Sequence, residues 1–215
     1  PEDADGWGCT LVVQGHAYID NTEMRYCGKR GSGTFAALID GRGPGITSGY
    51  MRNSLFRDSY GDVIATRGDT GDVLPFQFSG NVVFQATGTA YSLQAPVSLF
   101  STNAALSIFQ AGDSGGVGFD AHAITMDSNV AIGAQRYGFQ VSAAACSGAP
   151  ELPPNIAQAS GVSGVHIVTS DPGRARCGRI TGFQAIKNIG AGFSSMVTGS
   201  LTITNVVAID NHVGF

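Results

Sequence analysis

Four aspartates crowd one short stretch, Asp58, Asp62, Asp69 and Asp72, and carboxylate oxygens gathered in turns are the ligands that hard cations such as calcium take. Their spacing fits no calcium loop, so solvated turn residues are the better reading, and Glu2, Asp3 and Asp5 read the same way. The histidines His16, His122, His166 and His212 stand alone, without the i, i+4 pair of a helical zinc site. Cys9, Cys27, Cys146 and Cys177 include no C-x-x-C, which argues against structural zinc. No metal or other cofactor is expected. Four cysteines allow three pairings. Cys9–Cys27 with Cys146–Cys177 is favoured, because the second pair would close the Pro- and Gly-containing segment 147–176 as an insertion loop, contributing about 3–4 kcal/mol in the chain-entropy model. Four buried free thiols are the alternative.

Gly112-Asp-Ser-Gly-Gly116 matches the nucleophile sequence of trypsin-like serine proteases, in which a His and an Asp activate the serine. Chain order would place that His and then the Asp upstream. His16 alone precedes Ser114, in Gln14-Gly-His-Ala17, so a protease is a minor alternative and Ser114 in a plain turn the better reading. Arg67-Gly68-Asp69 is an integrin-type tripeptide, yet Thr66-Arg-Gly-Asp-Thr-Gly-Asp72 reads as a turn. No Asn-x-Ser/Thr glycosylation sequon occurs. No catalytic residue emerges from these motifs.

The elements that carry these residues are strands. The chain has 215 residues, 43% hydrophobic and only 13% charged, with 31 glycines. That composition favours many short strands joined by turns over helices rich in Glu, Lys and Leu. Net charge is −4 and basic residues are scattered, so nucleic acid is not an expected partner. The uncharged run from Val73 to Gly112 is broken by Gln, Asn, Ser, Gly, Pro75 and Pro96, so membrane insertion of this segment is not expected. A single β-segment of a longer chain, spanning 1–215, is the expected domain organisation.

A repeat anchors on Asn: Asn81-Val-Val-Phe, Asn129-Val-Ala-Ile and Asn205-Val-Val-Ala are its clearest copies, and anchors at 21, 53, 81, 103, 129, 183 and 205 differ by 32, 28, 22, 26, 54 and 22. Asn21, Asn53, Asn81, Asn103, Asn129 and Asn205 share this column with Phe183. Three residues earlier stand Tyr18, Tyr50, Phe78, Phe100, Met126, Ile180 and Thr202; three later stand Met24, Phe56, Phe84, Leu106, Ile132, Ile186 and Ala208. Gly112, Gly138, Gly192 and Gly214 lie nine residues after the anchor. A period of 22–26 residues fits one coil of a parallel β-helix, each coil stacking on the next at about 4.8 Å. Apolar columns would form the interior. The Asn column would sit at a bend, because Asn tolerates left-handed backbone, and would also form an amide ladder. Gly at plus nine would mark a second bend with positive φ. The 54-residue step is either one coil with a long insertion or two coils with one degenerate.

Ser79-Gly-Asn-Val-Val-Phe-Gln-Ala-Thr-Gly-Thr-Ala-Tyr91, Asn129-Val-Ala-Ile-Gly-Ala-Gln-Arg-Tyr-Gly-Phe139 and Tyr18-Ile-Asp-Asn-Thr-Glu-Met-Arg-Tyr-Cys-Gly28 resemble β-helix coils of the fibrocystin-like, G8-domain cell-surface proteins and the related cell-surface hyaluronidases. The resemblance covers most of the chain and implies an extracellular or cell-surface location, the ciliary membrane included. Cleaving members resemble Gly-His-x-x-x-x-Glu-Asp-Gly after the Asn-Val-Val coil. Here Thr89 stands for the His, and Gln94 and Ala95 for the acidic pair, which removes the ionisable carboxyls that glycosidic cleavage uses.

The expectation is therefore an all-β, right-handed parallel β-helix of about seven coils with a disulfide-closed insertion at 147–176. It would serve as a non-catalytic structural or interaction module of a large cell-surface protein. Its partners would be other extracellular domains or copies of itself, docking on loops such as 41–49 and 147–176. The alternative is a polysaccharide-binding or polysaccharide-cleaving protein, marked by aromatics and paired carboxylates on one outer face, with glycans as ligands.

Overall fold

A computed structural model of the chain describes residues 8–28, 34–43, 47–69, 73–111, 114–121, 126–142, 144–145, 154–168, 177–196 and 200–215. The first coil runs β1 (Leu11–Val13), β2 (His16–Asp20) and β3 (Glu23–Arg25); the second β4 (Phe35–Asp40), β5 (Ser48–Arg52) and β6 (Leu55–Arg57). The third is β7 (Asp62–Arg67), β8 (Leu74–Ser79) and β9 (Val82–Thr87); the fourth β10 (Thr89–Leu93), β11 (Val97–Ser101) and β12 (Ala104–Ala111). β13 (Ser114–Gly115) turns back antiparallel on β12. The stack continues through β14 (Val117–Ala121), β15 (Val130–Ala134), β16 (Tyr137–Ser142), β17 (Ala144–Ala145), β18 (Asn155–Gln158), β19 (Ser163–Val168), β20 (Cys177–Ile186), β21 (Ala191–Ser195) and β22 (Ser200–Ile209).

Each face of the stack is one parallel sheet. The first sheet has eight strands, in the order β1-β4-β7-β10-β14-β16-β19-β21. The second has four, β11-β8-β5-β2. The third runs β20-β18-β15-β12-β9-β6-β3, with β17 and β22 pairing β20. Apart from the short antiparallel strands β13 and β17, the strands pair in parallel with the equivalent strands of neighbouring coils, so the chain is an all-β parallel solenoid, as the repeat predicts. No helix of the described residues is long and apolar enough to cross a membrane. The number of coils differs slightly from the expectation, because the 54-residue step is two coils: β18 and β19 fill residues 155–168. The long insertion expected over 147–176 is thus wrong in its middle, and its flanks, 147–153 and 169–176, lie outside the described residues. Likewise Ser48 and Gly49, expected in a loop, belong to β5.

The interior is built of columns. Tyr91, Phe119 and Phe139 stack ring on ring at 4.8 and 4.7 Å, and Met51, Phe78 and Phe100 line the second sheet's inner side, fully buried. Facing them, Val83, Ala105, Ala131, Ala157 and Ala185 form the inner column of the third sheet. This corrects the plus-three column. Met24, Phe56 and Ala208 do pack inward, but in-register pairing with Arg57 puts Phe84, Leu106, Ile132 and Ile186 in an outward row. One residue of offset reverses a strand's faces, and for the same reason Tyr18 and Tyr50 point outward while Ile19 and Met51 take the inner places. Thr202 sits opposite Arg179, and Ile203 packs against the core.

The glycines at plus nine also differ from expectation. Gly138 and Gly192 lie inside strands without positive φ. In-register partners extend their column through Gly118 and Gly164. A Cβ on Gly138 would meet the Ala157 Cβ at 2.8 Å, and one on Gly164 would meet the Asn188 amide nitrogen at 2.6 Å. They are small so that two sheet walls approach closely. Gly112 lies outside the described residues.

Candidate functional surfaces

The asparagines resolve into two adjacent columns. Asn21, Asn53 and Asn205 have φ of 51°, 50° and 51°, and share that left-handed corner with Gly80, Thr102, Ser128 and Gly182. These three do not ladder. Asn81, Asn103 and Asn129 sit one residue further on, buried, and with Asn155 they form the amide ladder. The backbone N–H and Nδ2 of Asn81 donate to Asn103 Oδ1 at 3.1 and 3.0 Å. Asn103 repeats this onto Asn129 at 2.9 and 3.1 Å, and Asn129 onto Asn155 at 3.1 and 2.9 Å. The other Nδ2 proton of each goes to a carbonyl of the inner column: Met51, Phe78, Phe100 and Met126 in turn. The ladder begins at Ser54, whose N–H donates to Asn81 Oδ1, and ends where Phe183 takes the Asn position. The bend and ladder roles assigned to one column therefore belong to two neighbouring residues.

A second ladder escaped the sequence reading. At the next corner Ser160 N–H donates to Asn188 Oδ1, and Asn188 donates twice to Asn211 Oδ1 at 2.9 and 2.7 Å. The signal was present in the paired phrases Ala185-Ile-Lys-Asn188 and Ala208-Ile-Asp-Asn211. Here too a left-handed residue precedes each ladder member: Ala159, Lys187 and Asp210, with φ of 54°, 50° and 52°.

Cys9 and Cys27 form a disulfide, as expected; they join the first two rungs at this corner through a parallel bridge. The Cys146–Cys177 pairing lies outside the described residues. So does His122, and with it Asp72. The remaining aspartates of that stretch disperse. Asp58 occupies a left-handed corner against Arg57, Asp62 lies in β7 and Asp69 in the connection after it. Among the described residues no group of three His, Cys, Asp or Glu could hold a metal. Ser114 lies in the hairpin strand β13, Arg67 covers the Phe35 ring at 4.5 Å, and His212 is exposed. Thr89 opens β10, while Gln94 and Ala95 form the corner after it, where Ala95 bonds Thr66.

The first sheet's outer face carries a polar row. Gln140 donates to Asp120, His166 bonds Ser194 at 2.8 Å, and the His166 ring stacks on Tyr137 at 4.4 Å with Arg136 beyond it. Burial first, then the Arg136 charge, lowers the His166 pKa and so favours the neutral ring. On the same face burial raises the Asp62 carboxyl, a hydrogen bond from Thr89 opposes the rise, and repulsion from Asp120 adds to it. The third sheet's outer face carries two apolar rows, one through Val82, Val130 and Ile156 and one through Phe84, Leu106 and Ile132, the latter bounded by Arg57 and Gln158.

No family model matches the chain. Fibrocystin of Canis lupus familiaris is 30% identical over 141 residues, 62% of this chain, and fibrocystin of Mus musculus 27% over 139 residues. The chain spans only 3% of the length of these relatives. Two solved structures of the periplasmic alginate epimerase AlgG, one a double mutant, align over 92% of this chain and about 62% of theirs, at TM-scores of 0.40 and 0.38 and 15% and 14% identity, too remote to bear on activity. Fold and columns define a parallel β-solenoid module. In sequence, this module is similar to a short stretch of fibrocystin.

Proposed function

We propose that the chain is a structural and interaction module of an extracellular or cell-surface protein, and that it is not catalytic. One observation carries this reading: the asparagines of two ladders, all but the half-buried Asn211 fully buried, are committed to holding coil on coil. A rod so built keeps its outer faces in fixed register. The Cys9–Cys27 disulfide supports an oxidising compartment, and likeness to fibrocystin supports a cell-surface one. A ciliary location and docking by other extracellular domains, or by copies of the chain, belong to the same proposal. So does a single domain spanning 1–215.

A second reading, polysaccharide cleavage, is carried by the carboxyls of Asp62 and Asp120, which repel each other on one outer face while burial raises the first. Both readings meet one experiment: incubate the chain with hyaluronan, alginate and pectate, and measure new reducing ends and unsaturated products. The scaffold reading expects no release above buffer. Turnover that disappears in both Asp62→Asn and Asp120→Asn would sink it.

A further inference from the structure

The second sheet presents an outer face that the interior does not explain. In register across β2, β5, β8 and β11 stand Tyr18, Tyr50, Gln77 and Leu99, flanked by Asp20, Arg52, Ser79 and Ser101 and by His16 opposite Ser48. Tyr18 is 70% exposed. Its ring lies 5.2 Å from that of Tyr50, tilted by 58°. Arg52 lies 4.3 Å over the Tyr50 ring and donates to Asp20 at 2.9 Å, and Asn53 donates to the other Asp20 oxygen at 3.2 Å. His16 bonds Ser48. Exposed pairs of this kind contribute little to stability, yet here they hold several side chains in one arrangement on a rigid sheet. Side chains already ordered lose less freedom when a ligand arrives.

We infer that this face is a binding platform for a neutral oligosaccharide, with Tyr18 and Tyr50 stacking on sugar rings and Asp20, Arg52, His16 and Gln77 bonding hydroxyls. The inference deepens the interaction reading and rests on it. Two observations select this ligand class. The Arg52 charge is matched by Asp20, so the platform carries no excess charge to attract an anion. Amphipathic rings beside mixed donors and acceptors suit a ligand that is apolar on its faces and hydroxylated at its edges.

The test titrates the whole chain with cellohexaose, chitohexaose and mannohexaose, with hyaluronan hexasaccharide as acidic comparator, reading tyrosine ring shifts by NMR and affinity by calorimetry. At least one neutral hexasaccharide should shift the Tyr18 and Tyr50 rings. Tyr18→Ala and Tyr50→Ala should each weaken it about tenfold or more, equal to about 1.4 kcal/mol, with circular dichroism unchanged, while Tyr18→Phe retains binding. The inference is overturned if no neutral hexasaccharide shifts these rings. It is equally overturned if only the acidic one binds, if affinity survives Tyr18→Ala with Tyr50→Ala, or if the tyrosines prove to bury a second copy in sedimentation. Sugar turnover would instead sink the non-catalytic reading and leave the platform standing.

Discussion

At the residue scale, two asparagines that look equivalent in sequence do different work. Asn53 supplies a left-handed corner, which glycine also supplies; Asn103 supplies buried donors and an acceptor to two neighbouring coils. Asn53→Gly should therefore change stability by less than about 0.5 kcal/mol. Asn103→Gly should cost at least about 2–4 kcal/mol, because the Asn81 donors it leaves are buried and unpaired. Urea denaturation of both variants checks the contrast. Charge acts at Asp40, whose buried carboxyl receives hydrogen bonds from Arg42 first, and then from the Arg42 backbone and Gln14, holding its pKa well below the usual range. Its contribution is present above the unfolded value of about 4 and lost as pH falls below it. Asp40→Asn should destabilise the chain at neutral pH, and the gap from wild type should close on acidification. For His166 the lowered pKa means stability present above about 6.5 that declines as pH falls. Direct NMR titration of the ring should give a midpoint below that value.

At the element scale, the corners set everything. Between the second and third sheets each of the first four coils turns with two residues, the first left-handed, and in the second to fourth coils the other, Ser54, Asn81 or Asn103, is buried. That pair ends a strand, redirects the chain and places a ladder member in a single step. The glycine column answers the alanine column across the interior. Gly164→Ala should cost about 1–3 kcal/mol by overpacking, since its Cβ would press on Asn188 Nδ2, Gly192 O and Ala185 Cβ within 3.0 Å, whereas Gly15→Ala meets nothing within 4 Å and should be silent. Thermal melts of both distinguish a packing glycine from a dispensable one.

At the scale of the whole molecule, the solenoid is quasi-one-dimensional, so its stability is a sum over neighbouring coils. The Cys9–Cys27 disulfide binds the first rung to the second across 18 residues. Cys9→Ser with Cys27→Ser should therefore act locally. Amides of β1 to β3 should exchange faster, while β14 and β16 keep their protection, as hydrogen exchange by mass spectrometry would reveal. Uniform loss of protection would contradict the one-dimensional view.

The sequence by itself determined the class of fold and its period, because stacking identical positions leaves columns that survive as spacing: Asn81, Asn103 and Asn129 are legible without coordinates. It also carried the likeness to fibrocystin. Only the tertiary structure decided which residue of each corner points inward. Asn53 precedes the ladder position by one, and a one-residue offset exchanges the faces of a strand, so Tyr50 and Phe84 moved outward. It likewise revealed that residues 155–168 are coils, since the register of Asn155 is set by hydrogen bonds to the coil before it, a pairing that local sequence does not encode.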